Sequence, residues 1–228
     1  MTSQGAAFDE AAGSDASLTE RLARFDQGSR TRNPAWAAAY DELVLRLQAA
    51  EAGTDAPKVG DAFPTFLLPD DQCHLVSFDD LMASGALVIS FNRGHWCSYC
   101  KLELRALQAI LPEIAALGAS VISITPELPM LSSHCKAENG LSFPMLCDLD
   151  LSLALSLGLA ISVGDRLVTL LEDDGVPLAK PHGGAGWLLP IPATFVVARN
   201  GTILARHVDP DFRRRMDTAD ILAALAVG

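Results

Sequence analysis

Two cysteines three positions apart, at the point where a strand pattern gives way to a helix pattern, constrain this chain more than any other feature. The stretch reads Phe91-Asn92-Arg93-Gly94-His95-Trp96-Cys97-Ser98-Tyr99-Cys100-Lys101-Leu102-Glu103. The apolar run Ala86-Leu87-Val88-Ile89-Ser90-Phe91 leads into it, and Leu104, Leu107, Ile110, Leu111, Ile114 and Leu117 follow at helical spacing. A strand apolar on both faces is a central strand covered by helices. A helix N-terminus stabilises negative charge and lowers a thiol pKa, and the thiolate is the reactive form. Two thiols on one turn can also close a disulfide with each other, so the pair reads as a redox site.

The rest of the chain arranges itself around this centre. Residues 1–16 are rich in Gly, Ala, Ser and acids, a composition that predicts disorder. Ser17-Leu18-Thr19-Glu20 reads as a capping box, and Asn33 with Pro34 as the N-cap and first turn of a second helix. That helix carries Trp36, Tyr40, Leu43, Val44 and Leu47 at helical spacing and should end near Gly53. Residues 17–54 are thus expected as an N-terminal helical extension, lying on its own domain or on a second subunit. The main domain is expected over 58–228.

Within that domain, residues 66–68 and 74–78 flank Asp70-Asp71-Gln72 as a hairpin, followed by a short helix over 79–83. Pro112 falls inside the helix after the cysteines and should kink it without ending it, with Gly118 as the stop. Strands are expected at 121–124 and 143–147, and helices over 128–139 and 149–157. Residues 160–191 carry little pattern beyond a helical stretch at 167–171 and a Gly-rich loop at 180–186. Residues 193–197 and 202–205 flank Arg199-Asn200-Gly201 as a hairpin, and Asp217 caps a last helix through Leu225. This order predicts an α/β sheet covered on both faces.

A formal net charge of -11 argues against a nucleic-acid partner, which needs a basic face. No run of eighteen apolar residues is present, so no membrane span is expected. Residues 1–15 hold neither a basic residue nor an apolar core, so no secretory signal is read and a cytoplasmic location is the default. Five unevenly spaced cysteines do not make a secreted disulfide framework.

Several stretches resemble the alkyl hydroperoxide reductase/thiol-specific antioxidant (AhpC/TSA) family, the peroxiredoxins, within the thioredoxin-fold suprafamily. Val59-Gly60-Asp61-Ala62-Phe63-Pro64-Thr65-Phe66 resembles the family's first motif, and Trp96-Cys97-Ser98-Tyr99-Cys100-Lys101 resembles the thioredoxin motif. The kink at Pro112, the stretch Pro192-Ala193-Thr194-Phe195-Val196-Val197 with its Asn200-Gly201 turn, and His207-Val208-Asp209-Pro210-Asp211 complete the likeness over roughly 58–227. The resemblance implies a thioredoxin-like fold with a central mixed sheet. It implies a thiol-dependent peroxidase acting on hydrogen peroxide or organic hydroperoxides, with no metal or organic cofactor. It also implies a thioredoxin- or glutathione-type reductant and a homodimer, for which the N-terminal helices offer a surface.

The departures are informative. The family carries a Pro-x-x-x-Thr-x-x-Cys loop with a Glu three residues on. With Phe91 in register, its cysteine falls on Cys100 and its Glu on Glu103, while Arg93 takes the Pro position and Cys97 the Thr position. The family's arginine before the late strand falls on Pro192. In exchange the site resembles thioredoxin in its CxxC and in a proline beside it, so Ile191-Pro192 is the expected cis bond.

The candidate residues each have a bland alternative. Cys97 and Cys100 are read as a redox pair; a structural zinc site usually takes four ligands, and His134-Cys135 is the one conceivable second half. Thioredoxin analogy favours Cys97 as the exchanging thiol and peroxiredoxin register favours Cys100; we expect Cys97 for disulfide exchange and leave the peroxide step open. Arg93 would lower a thiolate pKa and hold an oxyanion, or be a solvated loop charge. His95 would shuttle a proton, or sit on a surface turn. Trp96 would wall the disulfide, Tyr99 would donate a hydroxyl or pack, and Glu103 would orient Arg93 or favour the helix dipole. Cys73, Cys135 and Cys147 read as buried small residues, with Cys135 a conceivable distant resolving thiol. Arg213-Arg214-Arg215 reads as a solvated turn, and Trp187 would cover the site or pack in the core. Two other functions stay open: a protein disulfide reductase, and a redox sensor or binding module with slow turnover.

Overall fold

A computed structural model of the 228-residue chain describes residue 8, residues 16–176 and residues 187–228. The expectation of disorder over 1–16 therefore falls, apart from Phe8 and Ala16, outside the described residues, as does the Gly-rich loop at 180–186. The N-terminal extension forms two helices, α1 (Leu18–Arg32) and α2 (Pro34–Ala49). The capping box is present: the Ser17 side chain accepts from the Glu20 N–H while Glu20 reaches back to the Ser17 N–H. Asn33 makes no side-chain cap, and α2 starts on Pro34. It stops before Gly53 because Glu51 and Gly53 both turn through positive φ.

A short hairpin, β1 (Leu67–Pro69) with β2 (Leu75–Ser77), and α3 (Phe78–Ala83) precede the central strand β3 (Ala86–Phe91). The redox stretch then opens α4 (Ser98–Ala109), which ends at Ile110; α5 (Leu111–Ala116) restarts with Pro112 in its first turn. The expected single kinked helix is thus two helices. Pro112 has no N–H to continue the ladder and its ring would crowd the carbonyl four residues back.

Next come β4 (Ala119–Thr125), α6 (Pro129–Glu138), β5 (Met145–Cys147) and α7 (Ser152–Ser156). Beyond them lie β6 (Ala160–Ser162), α8 (Asp165–Asp173) and β7 (Leu188–Pro190). The chain closes with β8 (Ala193–Val197), β9 (Ile203–Val208) and α9 (Thr218–Ala226), whose N-cap is Asp217. The β6–β7 pair is antiparallel and was not expected; two three-residue strands far apart in sequence leave no periodicity to read.

The central sheet runs β5-β4-β3-β8-β9. β3 is parallel to β4, β4 is parallel to β5, and β8 is antiparallel to both β3 and β9, so the sheet is mixed. Alternation along the strands builds a core on each face. Leu87, Ile89 and Phe91 join Ile122, Phe195 and Val197 on one face, packed with Phe63, Phe78 and Leu153. Val88, Val121 and Val196 face the other way, against Leu104, Leu107, Ile114 and Ile221. Helices therefore cover both faces.

A third cluster joins the extension to the redox helix. Leu18, Leu22 and Phe25 of α1 and Leu43, Val44 and Leu47 of α2 pack with Tyr99, Cys100, Leu102 and Ala106 of α4 and Leu167 and Leu171 of α8. The extension thus lies on its own chain, over the cysteines. No helix among the described residues is long and apolar enough to cross a membrane.

Candidate active site

The cysteine pair sits where the parallel strands β3 and β4 end side by side. Past the last strand residue, the Asn92 N–H still bonds the Ile124 carbonyl at 2.9 Å, and the Asn92 side-chain oxygen accepts the Gly94 N–H at 3.0 Å. Gly94 lies at φ +122°, and a Cβ there would come within 2.5 Å of a Glu127 carboxylate oxygen, so only glycine fits the turn. The Cys97 N–H closes that turn on the Gly94 carbonyl, and Cys97 becomes the N-cap of α4.

The two thiols lie on one turn, with Cys100 Sγ donating to Cys97 Sγ at 2.7 Å. Cys97 is 3% exposed and Cys100 0%. Cys100 Sγ also receives the Arg93 N–H at 3.4 Å and Nη2 of Arg215 at 3.5 Å. Burial pushes the Cys97 thiol up, yet the hydrogen bond from Cys100 and the charges of Arg93 and Arg215 outweigh it, and the thiol is held below its ordinary value. Burial and the neighbouring Cys97 hold Cys100 well above its own. These opposite directions favour the thiolate on Cys97 and the S–H on Cys100.

Arg215 is a functional candidate that the sequence concealed. Its side chain is fully buried, its Nε donates to Glu103 at 2.7 Å and its Nη1 to the Arg214 carbonyl at 2.9 Å. Glu103 is buried too, and its other oxygen accepts the Thr194 hydroxyl at 2.9 Å. Two expectations are corrected here. Arg213-Arg214-Arg215 is not a solvated turn: only Arg214 is exposed, while Arg213 is paired with Asp211 and Asp41. Glu103 orients Arg215 rather than Arg93: it lies past the first turn of α4, so it has no part in a first-turn helix-dipole contact either, and it reaches under the pair to Arg215 and to Thr194 of β8. Arg215 thus brings an arginine to the pair from a segment other than the one where the family's arginine falls on Pro192.

Arg93 is 2% exposed, so it is not a solvated charge. Its guanidinium carbon lies 4.1 Å from the Phe212 ring centre, 4.9 Å from Trp96 and 5.7 Å from Tyr40. Nη1 and Nη2 have no hydrogen-bond acceptor among the described residues. Trp96 is partly buried against this guanidinium, and its indole N–H likewise has no partner among the described residues. Pro192 lines a narrow cleft with Arg93 and Phe212. The Ile191-Pro192 bond is trans, against expectation; no cis bond occurs among the described residues, and trans is the lower-energy state for X–Pro.

His95 is held rather than free on a surface turn. Its Nδ1 lies 2.7 Å from Glu127 and its backbone N–H donates to the same carboxylate at 2.6 Å. Glu127 is fully buried and was missed from the sequence. A signal did exist: Glu127 follows the end of β4 by two residues, at the same sheet edge as the cysteines. Tyr99 faces the extension, its hydroxyl donating to Asp26 at 2.7 Å.

A cavity of about 380 Å³ opens onto Cys97. Phe25, Ser29, Asn33, Trp36 and Tyr40 from the extension form one wall. Trp96, Leu171, Asp174 and Val176 form the other, and Trp187 packs on the same cluster. Cys100 does not line it.

The remaining cysteines stand apart. Cys73 is exposed, contrary to the buried reading, because it occupies the β1–β2 turn at φ +66°. Cys135 is buried among the residues of the opposite sheet face, and burial pushes its thiol up to about 12. Cys147 is buried beside Ser132, and burial pushes it to about 11. Neither lies with the pair.

The AhpC/TSA family matches residues 59–206, more than half of the chain, and the chain belongs to that family. No curated protein matches the sequence. Peroxidoxin BcpB from Mycobacterium tuberculosis is similar in structure at a TM-score of 0.58 and 20% identity, over 75% of this chain and 97% of that one. Peroxiredoxin Q from Xanthomonas campestris is similar at 0.54 and 19%, over 71% and 90%. Reduced Prx3 from Vibrio vulnificus, solved in complex with hydrogen peroxide, is similar at 0.57 and 18%, over 74% and 99%. These likenesses establish the thioredoxin-like fold.

Proposed function

We propose that this AhpC/TSA-family chain is a thiol-dependent peroxidase that reduces hydrogen peroxide or organic hydroperoxides through a Cys97/Cys100 dithiol–disulfide cycle. The observation that carries the reading is the pair itself: two thiols in hydrogen-bond contact at a helix start, with Cys97 on a cavity wall and a buried arginine on each side. The helix N-terminus and the two arginines favour the Cys97 thiolate. That thiolate attacks one peroxide oxygen; the S–O bond forms, the O–O bond breaks, and the leaving oxide takes up a proton as water or alcohol. Arg93, whose terminal nitrogens have no acceptor among the described residues, stabilises the charge that develops on the leaving oxygen.

Cys100 then attacks the sulfenic sulfur, hydroxide leaves as water, and the disulfide closes. Arg215 and the Arg93 N–H help Cys100 to act as a thiolate at that moment. Glu103 positions Arg215, while His95 and Glu127 hold the turn that carries Trp96 and Cys97. A thiol reductant returns both sulfurs to the reduced state. Five unpaired cysteines suit a cytoplasmic setting, where thiols are kept reduced.

The protein disulfide reductase reading is weaker, because a large partner must bring its own sulfur to Cys97, which is 3% exposed. The test is peroxide consumption with dithiothreitol, compared among the native chain, Cys97→Ser and Cys100→Ser. The expected result is no turnover in Cys97→Ser. In Cys100→Ser a sulfenic acid at Cys97 is trapped when peroxide is added before the dithiol; the dithiol otherwise reduces it without an intervening Cys97–Cys100 disulfide. No acceleration over free thiol would sink the peroxidase reading; an adduct on Cys100 in Cys97→Ser would reverse the roles.

A further inference from the structure

We propose that the electron donor for the Cys97–Cys100 disulfide is a low-molecular-weight thiol that enters the cavity over Cys97, and that protein dithiols are excluded from it. This rests on the cysteine cycle proposed above. In thiol–disulfide exchange the incoming thiolate must reach one sulfur while the other leaves. Cys100 is fully buried, and Cys97 meets open space at the cavity. A protein donor, even in a transient redox encounter, presses a patch on the order of several hundred Å² of its own surface around the sulfur it attacks. The cavity measures about 380 Å³, within the size range of small-molecule sites.

The obstacle to a protein is built in. Phe25, Trp36 and Tyr40 of α1 and α2 stand over Cys97 opposite Trp96. The helices are tied down by several polar contacts: Tyr99 to Asp26 at 2.7 Å, Arg30 to Asp26 at 2.6 Å, and Asp41 to both Arg30 and Arg213 at 2.7 Å. The Thr19 hydroxyl adds a bond to Asp217 at 3.1 Å. All of the α1–α2 wall lies N-terminal to residues 59–206, so the restriction is an addition to the family segment.

The chemistry balances with a monothiol. One thiolate attacks Cys97 Sγ and the S–S bond breaks. Cys100 leaves as a thiolate, met by the Arg93 N–H and Arg215 Nη2. A second thiolate attacks the donor's sulfur in the mixed disulfide, releasing the donor as its disulfide and Cys97 as a thiolate. Two thiols are oxidised, one protein disulfide is reduced, and the two protons pass to the pair and solvent.

The test uses the full chain oxidised with diamide, so that peroxide plays no part. Reduction is followed by alkylation mass shift with glutathione, with dithiothreitol, and with a thioredoxin, its reductase and NADPH. We expect millimolar glutathione to reduce the pair at least about tenfold faster than micromolar thioredoxin, and Ser29→Trp, which narrows the cavity, to slow glutathione by about tenfold. Thioredoxin outpacing glutathione would overturn the proposal, as would an unchanged glutathione rate in Ser29→Trp. A diamide-treated chain without a Cys97–Cys100 disulfide would overturn it too. Failure of peroxide turnover with these reduction rates as expected would remove the peroxidase reading alone.

Discussion

The two arginines beside the cysteine pair are buried to similar depth and held in opposite ways. On the Cys100 side, Arg215 has a carboxylate partner: Glu103 takes its Nε, and Thr194 fills the other Glu103 oxygen. On the Cys97 side, Arg93 has aromatic faces and no acceptor for its terminal nitrogens among the described residues. A cation neutralised by a carboxylate fixes geometry, and much of its field at the sulfur is cancelled. A buried cation without a carboxylate is costly, and its field is reserved for whatever anion forms nearby. Here that anion is the Cys97 thiolate. Both arginines favour the Cys97 thiolate; Arg215 is the one fixed in place by a carboxylate, and Arg93 the one whose charge no carboxylate among the described residues offsets.

The largest test of this contrast is stability. Arg215→Met strands a buried Glu103 charge and should cost about 3–5 kcal/mol in urea unfolding of the reduced protein. Arg93→Met removes a cation that had no carboxylate to strand, and should cost well under half of that. Equal losses would break the comparison.

Reactivity should show the reverse order. Arg93→Met should raise the pH midpoint of Cys97 alkylation by about 1–3 units, as expected when a close opposite charge is removed. A midpoint that stays put would mean that Arg93 does not act on the thiolate. Stability against pH gives a signed check. The Cys97 value in the folded chain lies below the ordinary 9.0, so between the two the unfolded chain binds more protons and stability rises with pH. Above 9.0 the raised Cys100 value reverses the slope, since the folded chain then keeps a proton that the unfolded chain loses. The rising limb, at most about 1.4 kcal/mol per pH unit, should vanish in Cys97→Ser. The smallest effect concerns the roof: Tyr99→Phe loses one bond to Asp26, should cost about 1 kcal/mol, and should speed Cys97 alkylation if α1 shields the sulfur.

These contrasts were only half legible in the sequence. The apolar run at 86–91, the capping box at Ser17 and the Asn-Gly hairpin could be read, because each is a local pattern with a local cause. The β6–β7 pair could not, since three-residue strands have no period. Arg215 reaches Glu103 across 112 positions, from a segment with neither helix nor strand, and only the folded chain brings them together. The run of three arginines looked uniform, yet tertiary packing gives each a different fate, from exposed Arg214 to buried Arg215. Cys73 was misplaced for the opposite reason: a residue type that prefers the core sits in a turn that faces solvent. The cavity over Cys97 was invisible because its walls come from stretches that are distant in sequence and ordinary in composition.

Glu103, three residues after Cys100 on the redox helix, ties that helix both to β8 and to the segment carrying Arg215. With the thiols already in contact on that turn, closing the disulfide asks no segment to unwind first. For a peroxidase built this way, the sulfenic acid is short-lived, because its resolving partner is waiting at the moment it forms. A second peroxide molecule then finds little to oxidise further, and the irreversible sulfinic state is reached rarely. In a peroxidase of this kind, a fastening that looks purely structural would set how much oxidant the enzyme can meet before it is damaged.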